Sequence, residues 1–346
     1  MRSVSRNMQK IALLYNPASG TSRERRIAQV ESAAGVLRSE GHDVLTFPTQ
    51  SSDSVSQQIE RLLRDEFTNF IVCGGDGTVH GVLQALVEAG DDVTLGIIPF
   101  GSGNLLAKDL GIPRQPLKAA RALLTAQPVP TSVAAMEFRT ASGERARRYW
   151  IVAAGVGADA HVICKIDHGF KARYGIYAYY AESARQLLLA RYKFPPFVVE
   201  FQESGSDAPR REIVTQIVAE RIDYFRRCLA AQKNGAGNGR ISPDLHVVLF
   251  KTPNALRYLA YGTRLLGNLM GAPPGKIRDV ELVRARELTC RELRPEESLP
   301  QGWKGARQGS GEILAEADGE FLGSLPVKIQ ILPATLSLLR PTNCDH

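Results

Sequence analysis

The chain has 346 residues, 44% of them apolar and 23% charged, with a formal net charge of +7. That length suits two domains with well-buried cores, and the balance excludes wholesale disorder. No run approaches the ~18 apolar residues that a bilayer span needs.

The first apolar stretch, Ile11–Tyr15, is too short for a signal-peptide core and is followed at once by Asn-Pro. Five cysteines stand singly, with no Cys-x-x-Cys pair to suggest a zinc site or a redox motif. Reduced, unpaired thiols fit the cytosol, which is the expected location. A basic surface suits nucleic acid, anionic lipid or nucleotide phosphate, and charge alone does not choose among them.

Taken in order, the first third alternates strand and helix signals. Lys10–Tyr15 reads as a strand, broken by Asn16-Pro-Ala-Ser-Gly20; Thr21-x-x-Glu24 then reads as a capping box opening a helix that ends near Gly41. Val44–Phe47 is predicted as a strand, Ser54–Arg64 as a helix and Phe70–Cys73 as a strand. After the turn Gly74-Gly-Asp-Gly-Thr78 come a helix over Val79–Ala89, a strand over Val93–Pro99, and helices over Leu105–Leu110 and Leu117–Thr125. Strands separated by helices imply a parallel sheet covered on both faces.

Near Pro128 and Pro130 the pattern changes. Strand signals follow at Ser132–Phe138, Tyr149–Ala154, Phe197–Phe201, Ile213–Ala219, Val247–Phe250, Val280–Val283, Ile313–Ala317 and Val327–Leu332. Helical stretches fall around Tyr177–Ala190 and Asn254–Leu269, and Glu296–Gly311 reads as a surface loop. The expected architecture is an α/β domain over residues 1–128, followed by a mainly antiparallel β-sandwich domain over 129–335.

Three loops carry the chemistry. Glycines in Gly74-Gly-Asp-Gly-Thr78 let backbone N–H groups approach phosphate oxygens, and the helix that follows adds orphan donors and a positive dipole end. Asp76 is unsuited to phosphate itself but suits Mg²⁺, directly or through a water. Pro99-Phe-Gly-Ser-Gly-Asn104 and Asn16-Pro-Ala-Ser-Gly20 place two more small polar loops at the same sheet edge, where open α/β sheets bind ligands. One glycine turn alone is as well explained by tight turning; three together point to a phosphate ligand. No Gly-x-x-x-x-Gly-Lys-Ser/Thr is present, and no Gly-x-Gly-x-x-Gly follows the first strand.

At these residues the chain resembles the diacylglycerol kinase catalytic-domain family, which includes bacterial diacylglycerol kinases, sphingosine kinases and ceramide kinases. The resemblance rests on Asn16–Gly20, Gly74–Thr78, Pro99–Asn104, Ala154-Gly-Val-Gly-Ala-Asp159 and Asp318-Gly-Glu320, in matching order over nearly the whole chain. It implies an ATP-binding domain, a lipid-binding β domain with the active site in the cleft between them, and a last strand, residues 336–346, returning to the first domain. It also implies ATP and Mg²⁺ as cofactors, with the nucleotide contacted by Asn16, Pro17, Ser19, Gly20, Thr49, Gly74, Gly75, Asp76, Gly77, Thr78, Val79, His80, Gly101, Ser102 and Asn104. Asp318 and Glu320 become the catalytic carboxylates beside Asp76, one of them taking the lipid hydroxyl's proton; which one stays open. Read without the resemblance, Asp-Gly-Glu is a solvated hairpin tip.

The function so implied is transfer of the γ-phosphate of ATP to a lipid hydroxyl, diacylglycerol leading and a sphingoid base or ceramide as alternatives. An NAD kinase shares the Gly-Gly-Asp-Gly-Thr loop but not the later motifs, and a catalytically silent lipid or nucleotide sensor is the non-enzymatic alternative. The expected partners are a lipid substrate and a peripheral anionic membrane surface, with no nucleic acid and with homodimerisation open. Departures from the family are Ser102 in place of Thr, two arginines in Tyr224-Phe-Arg-Arg-Cys228, and Ile241–Val247, whose lone Asp244 argues against a structural Mg²⁺. Arg23, Arg25 and Arg26 follow the first loop closely and read as a solvated helix face, with a phosphate contact as the alternative; His80 reads as a packing residue or cap rather than a base.

Overall fold

The computed structural model describes residues 10–17, 23–49, 52–90, 92–166, 181–183, 185–186, 192–222, 241–269, 277–303 and 311–342. The chain divides into two compact units, one of residues 1–132 with 333–346 and the other of residues 133–332.

In the first unit, β1 (Lys10–Tyr15), β2 (Asp43–Pro48), β3 (Asn69–Gly74), β4 (Thr94–Pro99) and the end of β14 (Glu320–Arg340) pair in parallel, in the order β2-β1-β3-β4-β14. Phe70, Ile71, Val72 and Cys73 of β3 are all buried, as are Leu95, Gly96, Ile97 and Ile98 of β4, so both faces of the central strands are covered. The cover comes from α1 (Arg23–Ser39), α2 (Ser52–Arg64), α3 (Asp76–Ala89), α4 (Leu105–Asp109) and α5 (Pro116–Leu123). On α1 the buried stripe is Val30, Ala33, Ala34 and Leu37, the spacing of one helical face. Helix α3 closes on Gly90, whose φ of +72° suits a residue without Cβ.

In the second unit, β5 (Gln127–Arg139, entering from the first unit), β6 (Arg145–Trp150), β7 (Ala153–Gly157), β8 (Phe197–Glu203), β9 (Pro209–Val214), β10 (Gln216–Glu220), β11 (Leu245–Phe250), β12 (Val280–Glu292), β13 (Leu314–Ala317) and the first part of β14 form a mainly antiparallel array. Its neighbours run β14-β13-β7-β10-β11-β12, and β12 also pairs with β14 through Glu287–Cys290, so the pairing closes on itself. Alternate residues fill the enclosed core, among them Val156, Ile217, Val247, Leu249, Val283, Val327 and Ile329, together with Trp150. Helices α6 (Ala158–Lys165) and α7 (Ala255–Leu269) contribute to a second cluster on the other face, where Phe250 stacks on Tyr258 at 4.6 Å.

Two predicted strands are each broken in two. Tyr149–Ala154 divides into β6 and β7 because the amides of Ile151, Val152 and Ala153 turn to the Asp318 carboxylate. Ile213–Ala219 divides at Thr215, whose buried hydroxyl turns to the Thr252 carbonyl and the Tyr258 hydroxyl, at 2.6 and 2.5 Å. Most of the helical stretch predicted over Tyr177–Ala190 lies outside the described residues, as do Thr21 of the capping box and Tyr224–Cys228.

Candidate functional site

The strand order of the first unit reverses between β1 and β3, and the loops after those two strands are two of the three predicted to hold phosphate, the third following β4. In open parallel sheets the crevice outside the carboxyl ends at such a switch point is where ligands bind. Asn16 and Pro17 follow β1; Ser19 and Gly20 lie outside the described residues. Thr49 is buried and both its N–H and its hydroxyl reach the Tyr15 carbonyl, at 2.8 and 3.3 Å. It therefore braces the exit of β1 rather than presenting a free hydroxyl.

The glycines of the other two loops exist as much for each other as for a ligand. A Cβ on Gly101 would lie 2.7 Å from the Gly75 Cα, and one on Gly103 would lie 2.7 Å from an Asp76 carboxylate oxygen. A Cβ on Gly74 would lie 2.6 Å from that of Thr78. The two loops thus touch backbone to backbone. Asp76 is not in the turn, as expected from sequence, but opens α3, three residues before the predicted start. Thr78 and Val79 both donate to the Gly75 carbonyl, which carries the helix back to that point. The Asp76 Oδ1 accepts the Leu105 N–H at 2.8 Å, so its carboxylate satisfies an orphan donor at the start of α4.

Asn104, at φ 49°, turns its amide onto the Gly101 N–H and carbonyl and closes the second loop. Its side chain shapes the site from below. Val79 and His80 are buried on α3, with the His80 ring 3.4 Å from the Gln84 amide. Gly77 and Ser102 are exposed, and Gly75, Asp76 and Thr78 are half-buried. The N-cap of α3 is Gly75, which offers no side-chain oxygen to the first-turn amides. Those amides and the positive end of a 14-residue helix are a ready anion site. The donor set fits the phosphates of a nucleotide, with Asp76 as the one carboxylate of the loop to meet an accompanying Mg²⁺.

In the second unit, Asp318 and Glu320 sit on the turn between β13 and β14. Asp318 accepts from the N–H groups of Ile151, Val152 and Ala153 at 3.1, 2.9 and 3.1 Å, and its own N–H goes to the Ala153 carbonyl at 2.8 Å. Arg221, fully buried, lies close behind it. Burial pushes that guanidinium down to about 10, and the Asp318 charge opposes the shift. The middle of the turn is braced by Glu316, which accepts the Gly319 N–H at 3.0 Å. Glu320 is half-buried, and one of its oxygens lies 3.3 Å from Arg148 Nη2. Asp318 is thus built into the fold through backbone amides, whereas the contact of Glu320 is with a side chain.

The motif Ala154–Asp159 has a packing explanation. A Cβ on Gly155 would lie 2.9 Å from carboxylate oxygens of both Asp159 and Glu316, and Gly157, at φ +107°, would put one 2.5 Å from the Thr215 carbonyl. Glu316, Arg148 and Arg221 carry no local motif; an acidic residue inside an otherwise apolar strand, Leu314-Ala-Glu-Ala317, is the one signal that singles out Glu316. In the second-domain turn, Asp244 pairs with Arg286 at 3.1 Å. No helix among the described residues is long and apolar enough to cross a membrane.

Comparison with known proteins agrees with this geometry. Residues 10–136 match the diacylglycerol kinase catalytic domain. The diacylglycerol kinase of Bacillus subtilis (strain 168) is 28% identical over 200 residues, 57% of this chain and 61% of that one. The diacylglycerol kinase of Staphylococcus carnosus (strain TM300) is 25% identical over 179 residues, 52% of this chain and 55% of that one. The match therefore spans less than two thirds of either relative. A solved diacylglycerol kinase from Bacillus anthracis str. Sterne shares the fold, with a TM-score of 0.61 at 16% identity over 97% of this chain and 98% of that one. The segment that matches the diacylglycerol kinase catalytic domain, residues 10–136, carries strands β1 to β4 of the parallel sheet and the loops that follow them.

Proposed function

We propose that the chain transfers the γ-phosphate of ATP to the hydroxyl of a membrane lipid, with diacylglycerol as acceptor and phosphatidic acid as product. The observation that carries this reading is the pair of interlocked glycine loops after β3 and β4, the first of them beside the switch point and running into the start of α3. The relatives named diacylglycerol kinase support the acceptor's class.

In this reading the first-turn amides of α3, with Gly77 and Ser102, hold the phosphates. Bound with the nucleotide, Mg²⁺ would neutralise phosphate charge. Glu320 takes the proton as the lipid oxygen bonds to the γ-phosphorus and the bond to the bridging oxygen of ADP breaks. Asp318, held by three amides, fixes the turn that carries Glu320. A net charge of +7 favours working at an anionic membrane surface.

The deciding experiment incubates purified protein with γ-labelled ATP, Mg²⁺, vesicles bearing diacylglycerol, ceramide or sphingosine, and NAD in a separate arm. Labelled phosphatidic acid is expected. Label on ceramide or sphingosine would move the acceptor, and label on NAD, or on nothing, would overturn the proposal.

A further inference from the structure

Three arginines follow the first loop, and the structure separates them. Arg23 and Arg25 are exposed on α1, whereas Arg26 is half-buried one turn before Val30, on the stripe that continues through Ala33, Ala34 and Leu37. Its guanidinium carbon lies 4.9 Å from the centre of the Phe100 ring, and Nη1 donates to the Phe100 carbonyl at a long 3.5 Å. Phe100 in turn donates its N–H to the Gly74 carbonyl at 2.9 Å. The guanidinium therefore stands where the loop after β3 meets the loop after β4.

No described residue answers its charge. Among the described residues no carboxylate pairs with Arg26, and the titratable group acting on it is the Cys73 thiol, which burial keeps neutral. Burial also pulls the Arg26 guanidinium below its ordinary value. A guanidinium carries five N–H donors in a rigid fork, and here one of them makes one long bond. Partly desolvating a cation without a counter-charge is unfavourable, and the arrangement becomes favourable when an anion arrives.

We propose that Arg26 is a phosphate-contacting residue of the nucleotide site, its guanidinium donating to the triphosphate chain held at the start of α3. The ring of Phe100 keeps the side chain extended toward the loops, a use of the aromatic face that leaves the in-plane N–H groups available. This rests on the ATP reading above and adds a residue outside all of the family's loop motifs.

The test compares wild type, Arg26→Ala and Arg26→Lys for Mg-ATP and Mg-ADP by calorimetry, and for adenosine by ligand-observed NMR. Arg26→Ala should weaken ATP by roughly 10- to 100-fold, the usual range for one charge-assisted bond to phosphate. Adenosine should bind all three proteins alike, and Arg26→Lys should recover part of the loss. Unchanged ATP affinity in Arg26→Ala, or an equal loss of ATP and adenosine, overturns the proposal. Should the alanine variant fail to fold, Arg26→Gln is measured in its place and read the same way. Wild type that binds no ATP overturns the ATP reading itself, a distinct result.

Discussion

The Asp76 carboxylate and the Leu105 amide, 29 residues apart, meet in one hydrogen bond of 2.8 Å that ties the start of α3 to the start of α4. Asp76 thus has a structural duty as well as its proposed place beside the metal, and substitutions can separate the two. Asp76→Asn keeps an acceptor for Leu105 and should melt within a few degrees of wild type. Asp76→Ala loses the bond and should cost about 1–3 kcal/mol. Both should lose more than about tenfold in phosphoryl transfer, because neither can meet Mg²⁺ with a charge. An asparagine variant with wild-type turnover would remove Asp76 from the chemistry.

Glu320 and Asp318 should fail in different ways. Glu320→Gln should keep its fold and its ATP affinity while turnover falls about 10²–10⁴-fold, as for loss of a general base. Asp318→Ala strands three amides and leaves the buried Arg221 without its nearby carboxylate, so it should lose roughly 2–5 kcal/mol of stability. Denaturant titration beside initial-rate kinetics distinguishes them. Equal destabilisation by both substitutions would place Glu320 in the scaffold.

Gly101→Ala places a methyl group 2.7 Å from the Gly75 Cα, a backbone atom that cannot swing aside. The two loops must part, at a cost of about 1–3 kcal/mol. ATP binding should fall at least about tenfold while the second unit is untouched. Nucleotide titration and circular dichroism check this, and wild-type affinity would show that the loop contact is dispensable.

Acid should expose the ion-pair cluster around Glu297. Hydrogen bonds from Arg291, then the Arg294 amide, hold its carboxylate down to about 2. A carboxylate with a depressed folded value stabilises above its unfolded value of ~4.3, and that contribution disappears as pH falls from there through about 2. The melting-temperature gap between wild type and Glu297→Gln should therefore be widest near neutral pH and close toward pH 2. A gap that ignores pH would mean the pair is not formed in solution.

Much of the first unit is legible because its signals are local. Four apolar residues running into two glycines and an aspartate announce β3 and its loop without reference to anything distant. The breaks at Ile151–Val152 and at Thr215 are not legible, since their cause is a hydrogen-bond partner far along the chain, 166 residues away for Val152 and Asp318. The start of α3 is missed for a different reason: glycines usually mark loops, and here two of them frame a helix whose first residue is Asp76. Arg26 was within reach, because it falls four residues before Val30 on the apolar stripe. Its charge masks that register when the three arginines are read as one solvated face.

Strand β14 is 21 residues long and serves two cores. Its early residues, such as Val327 and Ile329, fill the β-rich core, while Leu336 and Leu338 are buried where Ser337 and Leu338 line up with Thr94 and Leu95 of β4. The first unit is consequently not a stretch of sequence that an expression vector can excise. A fragment stopped at residue 132 would display β4 as a bare, largely apolar edge, the kind that recruits other chains and precipitates. To make that unit by itself, the engineer must graft residues 333–342 back through a linker, and gene fusions or splits must respect the same loan of one strand.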